Sequence, residues 1–170
     1  EVVLVSGPVS LPVPADVRCV PVASALQMRA AVFEALPGAQ VFIGVAAVAD
    51  YRPLATAEHK LKKTSDTLTV ALTPNPDILA EVAAREDAPF CVGFAAESHD
   101  LDSYAQDKRR SKRLPMVVGN LVSDGLGSED NLVVLYDDEG RHPLAPALVG
   151  DPDHRRLADA GAAVEDALDH

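Results

Sequence analysis

The stretch Val41–Lys63, VFIGVAAVADYRPLATAEHKLKK, decides how the chain is to be read. Val41, Phe42, Ile43 and Val45 form a continuous apolar run, as in a strand covered on both faces within a parallel sheet. Small residues take over at Ala46, Ala47 and Ala49, and the run stops at Asp50-Tyr51-Arg52-Pro53. Shortly afterwards the chain turns basic, at Lys60, Lys62 and Lys63. Strands of an open α/β sheet deliver their last residues to the carboxyl edge, where such folds bind ligands. An acid at that edge with lysines on the next loop suits a nucleotide, the carboxylate taking sugar hydroxyls or a metal and the ammonium groups taking phosphates. The plainer alternative is a strand that runs into a solvated loop with scattered charge, and spacing alone does not separate the two.

The length of 170 residues suits one domain with its own core. Aromatic residues are few and tryptophan is absent, so the core must be aliphatic and alanine-rich. A formal net charge of −11 argues against a general nucleic-acid or membrane-surface binder. Basic residues gather at Lys60–Lys63 and Lys108–Arg113, and positive potential focused on an acidic chain fits a small polyanion better than a polymer. Cys19 and Cys91 have no CxxC spacing and read as buried free thiols in a reducing compartment. No apolar run reaches transmembrane length and nothing has the form of a signal peptide, so the expected location is the cytoplasm.

Upstream of the deciding stretch, Glu1–Ser6 and Val17–Val22 read as strands on either side of a proline-fixed turn. Ser24 with Gln27 three residues on predicts a capping box opening a helix to about Leu36, with Leu26, Ala30, Phe33 and Leu36 on its buried side. Downstream, Leu68, Val70 and Leu72 alternate with polar or small residues, which predicts a half-buried strand and, with Leu61 opposite, a projecting hairpin over residues 58–74. Asn75 and Pro76 predict the cap and first position of a short helix carrying Ile78 and Leu79. Phe90–Phe94 is the next strand, ending in Ala95-Ala96-Glu97. Leu101–Arg113 is a helix with a basic C-terminal half that complements its dipole. Met116–Val118 is a strand ending in Gly119-Asn120. Asn131–Tyr136 with Arg141–Pro143 predicts a terminal hairpin, and Asp153–Leu168 a closing helix. Strand and helix alternate as in a doubly wound, mostly parallel sheet. Three strand tips, Ala49-Asp50, Ala96-Glu97 and Gly119-Asn120, would then line one pocket at the carboxyl edge.

Several chemistries are disfavoured. The chain has no GxGxxG, no GxxxxGK[ST], no zinc-ligand spacing and no GxSxG, and its histidines are scattered. Lys108 and Lys112 stand i, i+4 on one helical face, so both can point at one ligand. Arg109, Arg110 and Arg113 read as surface charge, and Lys62 and Lys63 as solvated. Phe94 suits either the core or packing against a base. Asp77 suits the dipole of its helix, and Asn75 a cap.

Six segments occur in order: GPVSLP at Gly7–Pro12, AAVADYRP at Ala46–Pro53, HKLKK at His59–Lys63, NPDIL at Asn75–Leu79, VGFAAES at Val92–Ser98 and KRRSK at Lys108–Lys112. Together they resemble the phosphopantothenoylcysteine synthetase domain of bacterial coenzyme A biosynthesis, a domain often fused to a flavin-dependent decarboxylase. The resemblance spans nearly the whole chain and implies a single Rossmann-like α/β domain over residues 1–170, with a projecting β-hairpin, a C-terminal β-hairpin plus helix, and assembly as a homodimer. It implies a ligase that uses CTP and Mg²⁺ to activate 4′-phosphopantothenate as an acyl-cytidylate with release of pyrophosphate, cysteine then attacking to give the amide and CMP. FMN would belong only to a fused decarboxylase. By position, the resemblance puts the nucleotide on Asp50, Lys60, Pro76, Asp77, Ile78, Leu79, Phe94, Lys108 and Lys112, makes Lys60 catalytic, and gives Asn120 a substrate role; it assigns no residue to the metal. The chain departs from the family in two places. The strand and glycine/serine-rich turn that precede GPVSLP in the family are expected to be missing, and the family's Ala-Asn-Asp-Val reads Gly119-Asn120-Leu121-Val122. A catalytically incompetent nucleotide- or phosphopantetheine-binding module is the rival expectation.

Overall fold

A computed structural model describes residues 1–57, 59, 60, 62, 67–121, 130, 131, 133–144, 147 and 148. They gather into two compact units, Glu1–Ala39 with Ala46–Val82, and Gln40–Val45 with the described part of Ala83–His170.

In the first unit β1 (Val2–Ser6) pairs in parallel with β2 (Val17–Pro21), Val2 opposite Val17. The chain returns through α1 (Ala25–Ala35), which opens as its sequence requires. Ser24 Oγ accepts the Gln27 N–H at 3.2 Å, while Gln27 Oε1 accepts the Ala23 N–H at 2.8 Å. The buried side of α1 differs from the expected stripe. Val32 and Leu36 are buried and Ala25, Met28 and Ala35 half-buried, whereas Leu26 and Ala30 are exposed. Phe33 lies between, its ring 4.9 Å from the Arg29 guanidinium. Apolar residues at both 25/28/32 and 26/30/33 leave the rotation of this helix ambiguous from pattern alone.

The projecting hairpin is narrower than expected. β4 (Tyr51–Pro53) pairs antiparallel with β5 (Leu72–Pro74), Arg52 opposite Thr73. Residues 67–71 form no strand, and Leu68 is 72%, Val70 54% and Leu72 57% exposed. The predicted half-burial is thus not supplied by the described residues; the predicted partner Leu61 lies outside them. The helix after β5, α2 (Ile78–Ala83), starts later than predicted. Its cap is Asp77, not Asn75: Asp77 Oδ1 accepts the Ala80 N–H at 3.1 Å and the Asp77 carbonyl accepts the Glu81 N–H at 2.9 Å.

Among the described residues the second unit holds a five-stranded mixed sheet in the order β10-β9-β7-β6-β3. β3 (Val41–Gly44), β6 (Phe90–Glu97) and β7 (Met116–Leu121) run parallel; β9 (Val133–Tyr136) and β10 (Arg141–Pro143) complete the sheet as the expected antiparallel hairpin. β8 (Asp130–Asn131) and β11 (Ala147–Leu148) form a separate short antiparallel pair. The expected helix over 153–168 lies outside the described residues. β3 was expected to be covered on both faces; instead it ends the sheet, and Ile43 is 58% exposed. It also stops at Gly44, short of Asp50, because the alanine-rich run that follows supplies no bulk to hold a ladder.

Val92, Met116 and Leu135 centre the core of this unit, with Phe90, Val118 and Leu144 packed around them. α3 (Leu101–Lys112) lies over β6 and β7. It is pinned to the β9–β10 hairpin at both ends. Asp102 in its first turn accepts from Tyr136 Oη at 2.5 Å and Arg141 Nε at 2.9 Å; Arg109 in its last turn reaches Asp138 at 2.7 Å. Gly119 allows this close approach, since a Cβ there would lie 2.9 Å from Leu101 Cδ1 and 3.0 Å from Tyr136 Cε2. Cys91 is buried, with its thiol pushed up by that burial, and Cys19 is half-buried; neither forms a disulfide. Among the described residues no helix is long and apolar enough to cross a membrane.

Candidate functional site

In the first unit the expected site residues cluster at the base of the β4–β5 ribbon. Asp50 stands just ahead of β4 with its side chain exposed, and its carbonyl accepts the Asn75 N–H at 2.7 Å. Asn75, expected to cap a helix, ties this base together instead: its Nδ2 donates to the Ala49 carbonyl at 2.8 Å, and its Oδ1 accepts from Arg52 at 3.2 Å. Arg52 also donates to the Pro74 carbonyl at 2.5 Å. Sequence reasoning passed over Arg52, although an arginine inside a three-residue strand is itself a signal that the strand needs an anchor. Four hydrogen bonds thus hold Asp50 and the start of the Pro76–Leu79 segment to one base, and none of them uses the Asp50 carboxylate.

The Pro76–Leu79 segment divides by role. Ile78 and Leu79 are buried, Pro76 is half-buried, and Asp77 is exposed while its carboxylate caps α2. Ile78 and Leu79 side chains thus serve packing, and what the segment can offer a ligand is backbone around Pro76 and Asp77. Lys60 and Lys62 are exposed on the connection between β4 and β5; Lys63 lies outside the described residues. An exposed lysine keeps its rotamer freedom, as a phosphate partner that closes on its ligand must.

In the second unit β6 and β7 carry their ends to the same edge, Ala96 opposite Asn120 and Glu97 opposite Leu121. Two of the three expected strand tips are therefore neighbours. The third is not a strand tip at all, since Asp50 belongs to the first unit and follows a non-strand segment. Phe94 is half-buried in β6 opposite Val118. Lys108, one helix over, donates its ammonium to the Phe94 carbonyl. Lys108 and Lys112 are both half-buried and one turn apart, as their spacing predicts. Half-burial lengthens the reach of a charge by thinning the water around it. Arg109, expected at the surface, is instead only 14% exposed and engaged with Asp138 and Gln106. Asn120 is half-buried on β7 between Ala96 and Val133.

Among the described residues no three carboxylate, imidazole or thiolate side chains come together as a metal site.

Comparison with known proteins gives this arrangement its relatives. Residues 1–149 match the model of the DNA/pantothenate metabolism flavoprotein C-terminal domain. The coenzyme A biosynthesis bifunctional protein CoaBC of Vibrio cholerae is 49% identical over 150 residues, which cover 85% of this chain and 38% of that protein. The chain thus spans well under half the length of such curated relatives. A crystal structure of the C-terminal domain of a CoaBC protein superposes with a TM-score of 0.73 at 32% identity, covering 98% of this chain and 76% of that one. A mutant of Cab2 in complex with phosphopantothenate-cysteine shares the fold, with a TM-score of 0.67 at 18% identity over 89% of this chain and 53% of that one. The Rossmann-like fold expected from the sequence is therefore the fold of these relatives, and the chain belongs to the DNA/pantothenate metabolism flavoprotein C-terminal domain family.

Proposed function

We propose that this chain carries the ligase step of coenzyme A biosynthesis, joining 4′-phosphopantothenate to cysteine through an acyl-cytidylate at the expense of CTP. The observation that carries the proposal is the pair Lys108 and Lys112, half-buried one turn apart on α3 with Lys108 seated on the Phe94 carbonyl, in a chain 49% identical to a bifunctional coenzyme A protein. Carboxyl activation moves negative charge onto a phosphate-borne oxygen, and fixed ammonium groups stabilise that charge without reorganising as it develops. Lys108 can exchange a neutral carbonyl for a phosphate oxygen at little cost, because its stem already lies against the sheet. Phe94 offers a ring to a base, and Asn120 an amide to the acyl substrate. Taken by itself, the first unit offers an exposed Asp50 carboxylate that would suit sugar hydroxyls or a magnesium ion, and an exposed Lys60 ammonium that would suit a phosphate. Magnesium, when bound, supplies charge neutralisation of those phosphates. The Cab2 complex with phosphopantothenate-cysteine supports the choice of product.

The test is release of pyrophosphate from CTP in the presence of 4′-phosphopantothenate and cysteine. It is run on the 170-residue chain and on a longer chain carrying the glycine/serine-rich segment. Release that depends on CTP and 4′-phosphopantothenate, with the amide formed once cysteine is added, is the expected result. Nucleotide binding without pyrophosphate release from either chain would reduce the protein to a binding module.

A further inference from the structure

The C-terminal end of α3 carries three arginines that the proposed ligase chemistry does not use. Arg109, Arg110 and Arg113 line an open groove with Leu114, Pro115 and Asp138. Two observations set this cluster apart from ordinary surface charge.

The first is backbone conformation. Arg113 stands at φ 54°, ψ 46°, the left-handed region in which glycine is favoured and a side chain with a Cβ is strained. Its N–H bonds the Arg110 carbonyl at 3.2 Å, and the Leu114 N–H bonds the Arg109 carbonyl at 2.9 Å. This is a complete Schellman closure, with the buried Leu114 as its hydrophobic contact. Glycine closes that motif without strain, so an arginine there carries a conformational cost that folding does not need.

The second observation is that the groove already holds a carboxylate. Asp138, on the β9–β10 turn, seats its Oδ1 2.7 Å from Arg109, and it is itself 91% exposed on its solvent side. Arg110 is 71% exposed and meets Asp107 only at 4.0 Å, beyond hydrogen-bond contact. One of three guanidinium groups is thus neutralised in the manner the other two could be. Half-buried Pro115 also lines the groove, together with Leu114, which is itself buried. On a chain with a net charge of −11, this is a local inversion of sign. Pro115 directly precedes β7 and Asn120 lies near its far end, about 16 Å along the strand. The groove therefore lies toward the opposite end of β7 from Asn120, while Lys112 directly precedes Arg113 on the same turn of α3.

We propose that this groove docks an acidic, extended segment of a partner protein. Its carboxylates would pair with Arg110 and Arg113 as Asp138 pairs with Arg109, and an apolar residue would rest against Pro115. A small inorganic anion fits less well, because an open groove leaves it hydrated on one side, while a peptide spans several guanidinium groups at once.

The probe is a fluorescein-labelled oligoglutamate peptide with one central leucine, titrated against the whole chain by anisotropy. Saturable binding that weakens with salt is expected. Combining Arg113→Gly with Arg110→Gln should lower the affinity about tenfold or more, while Tm holds or rises because glycine relieves the left-handed strain. Equal binding by that variant, or no saturable binding by the parent, overturns the proposal. Displacement of the peptide by inorganic pyrophosphate at equal concentration overturns it too, and makes the groove a small-anion site.

Discussion

Lys60 and Gly119 show how differently single residues carry the molecule. Lys60 is exposed on the β4–β5 connection, so its contribution to folding is small, yet the proposed chemistry has it stabilise negative charge that develops on phosphate oxygen only during reaction. Lys60→Gln keeps the stem and removes the charge. Loss of one such contact typically costs about 3–4 kcal/mol in the transition state, or roughly 10²–10³ in rate, with stability moving by no more than about 0.5 kcal/mol. Acyl-cytidylate formation and thermal unfolding measured on the same variant check this, and unchanged activation kinetics would return Lys60 to the solvated surface. Gly119 has the opposite profile. It stands where the family resemblance expects alanine, and the space a methyl group would need is filled by Leu101 and Tyr136. The Tyr136 ring cannot retreat, because it is buried and its hydroxyl is held by Asp102. Gly119→Ala should therefore lower stability by about 1–2 kcal/mol in urea unfolding, whereas the same change paired with Leu101→Val should recover most of the loss.

At the scale of elements, α3 is fixed by a hairpin later in the chain. Tyr136 supplies the first pin, and burial, together with the neighbouring Asp102 carboxylate, pushes its phenol up to about 12. An unfolded tyrosine titrates near 10, so the neutral phenol is favoured more in the folded state. Its stabilisation is complete below about pH 10 and is lost as pH rises toward about 12. The partner works from the other side: the Tyr136 hydroxyl and then Arg141 hold the Asp102 carboxyl below its ordinary value, so its contribution fades only as the solution becomes acid enough to protonate it. Denaturant midpoints taken from pH 9 to 12.5 should fall for the parent protein and stay flatter for Tyr136→Phe. Parallel curves would remove Tyr136 as the source of alkaline sensitivity.

Across the whole molecule, the order of strands and helices was legible because continuous apolar runs, proline breaks and a Ser-x-x-Gln cap are local signals, as β1, α1, β6 and α3 bear out. Which side a segment buries was less legible. The α1 stripe and the exposed Ile43 depend on neighbours that no local pattern names. For the candidate site, the family resemblance named Phe94, Lys108 and Asn120 and the local pattern predicted the elements that carry them, but the reading missed Arg52 and misassigned Asn75 and Arg109, whose partners are 22, 26 and 29 residues away. The β4–β5 ribbon raises the remaining question of assembly. Two-stranded ribbons are marginal alone in water, and Leu72 on this one, with Leu68 and Val70 just ahead of it, leaves apolar surface exposed. A homodimer that covers the ribbon is expected; sedimentation at high micromolar concentration should give a dimer that Val70→Lys weakens, and a monomer under those conditions would end the idea.

The end position of β3 in its sheet makes the buried thiol a clock. Cys91 sits opposite Phe42 in the β3–β6 register, and the two strands are joined only through a long excursion of the chain, whereas β9 and β10 are joined by a tight turn. Closing a long loop is entropically slow and reopening it is correspondingly easy. β3 should be the last strand to dock during refolding and the first to lift during native fluctuations. Millisecond-to-minute thiol labelling of Cys91 would then time that single event, ahead of global unfolding, while amide protons of β7 remain protected. Labelling no faster than global unfolding would show that the sheet opens only as a whole.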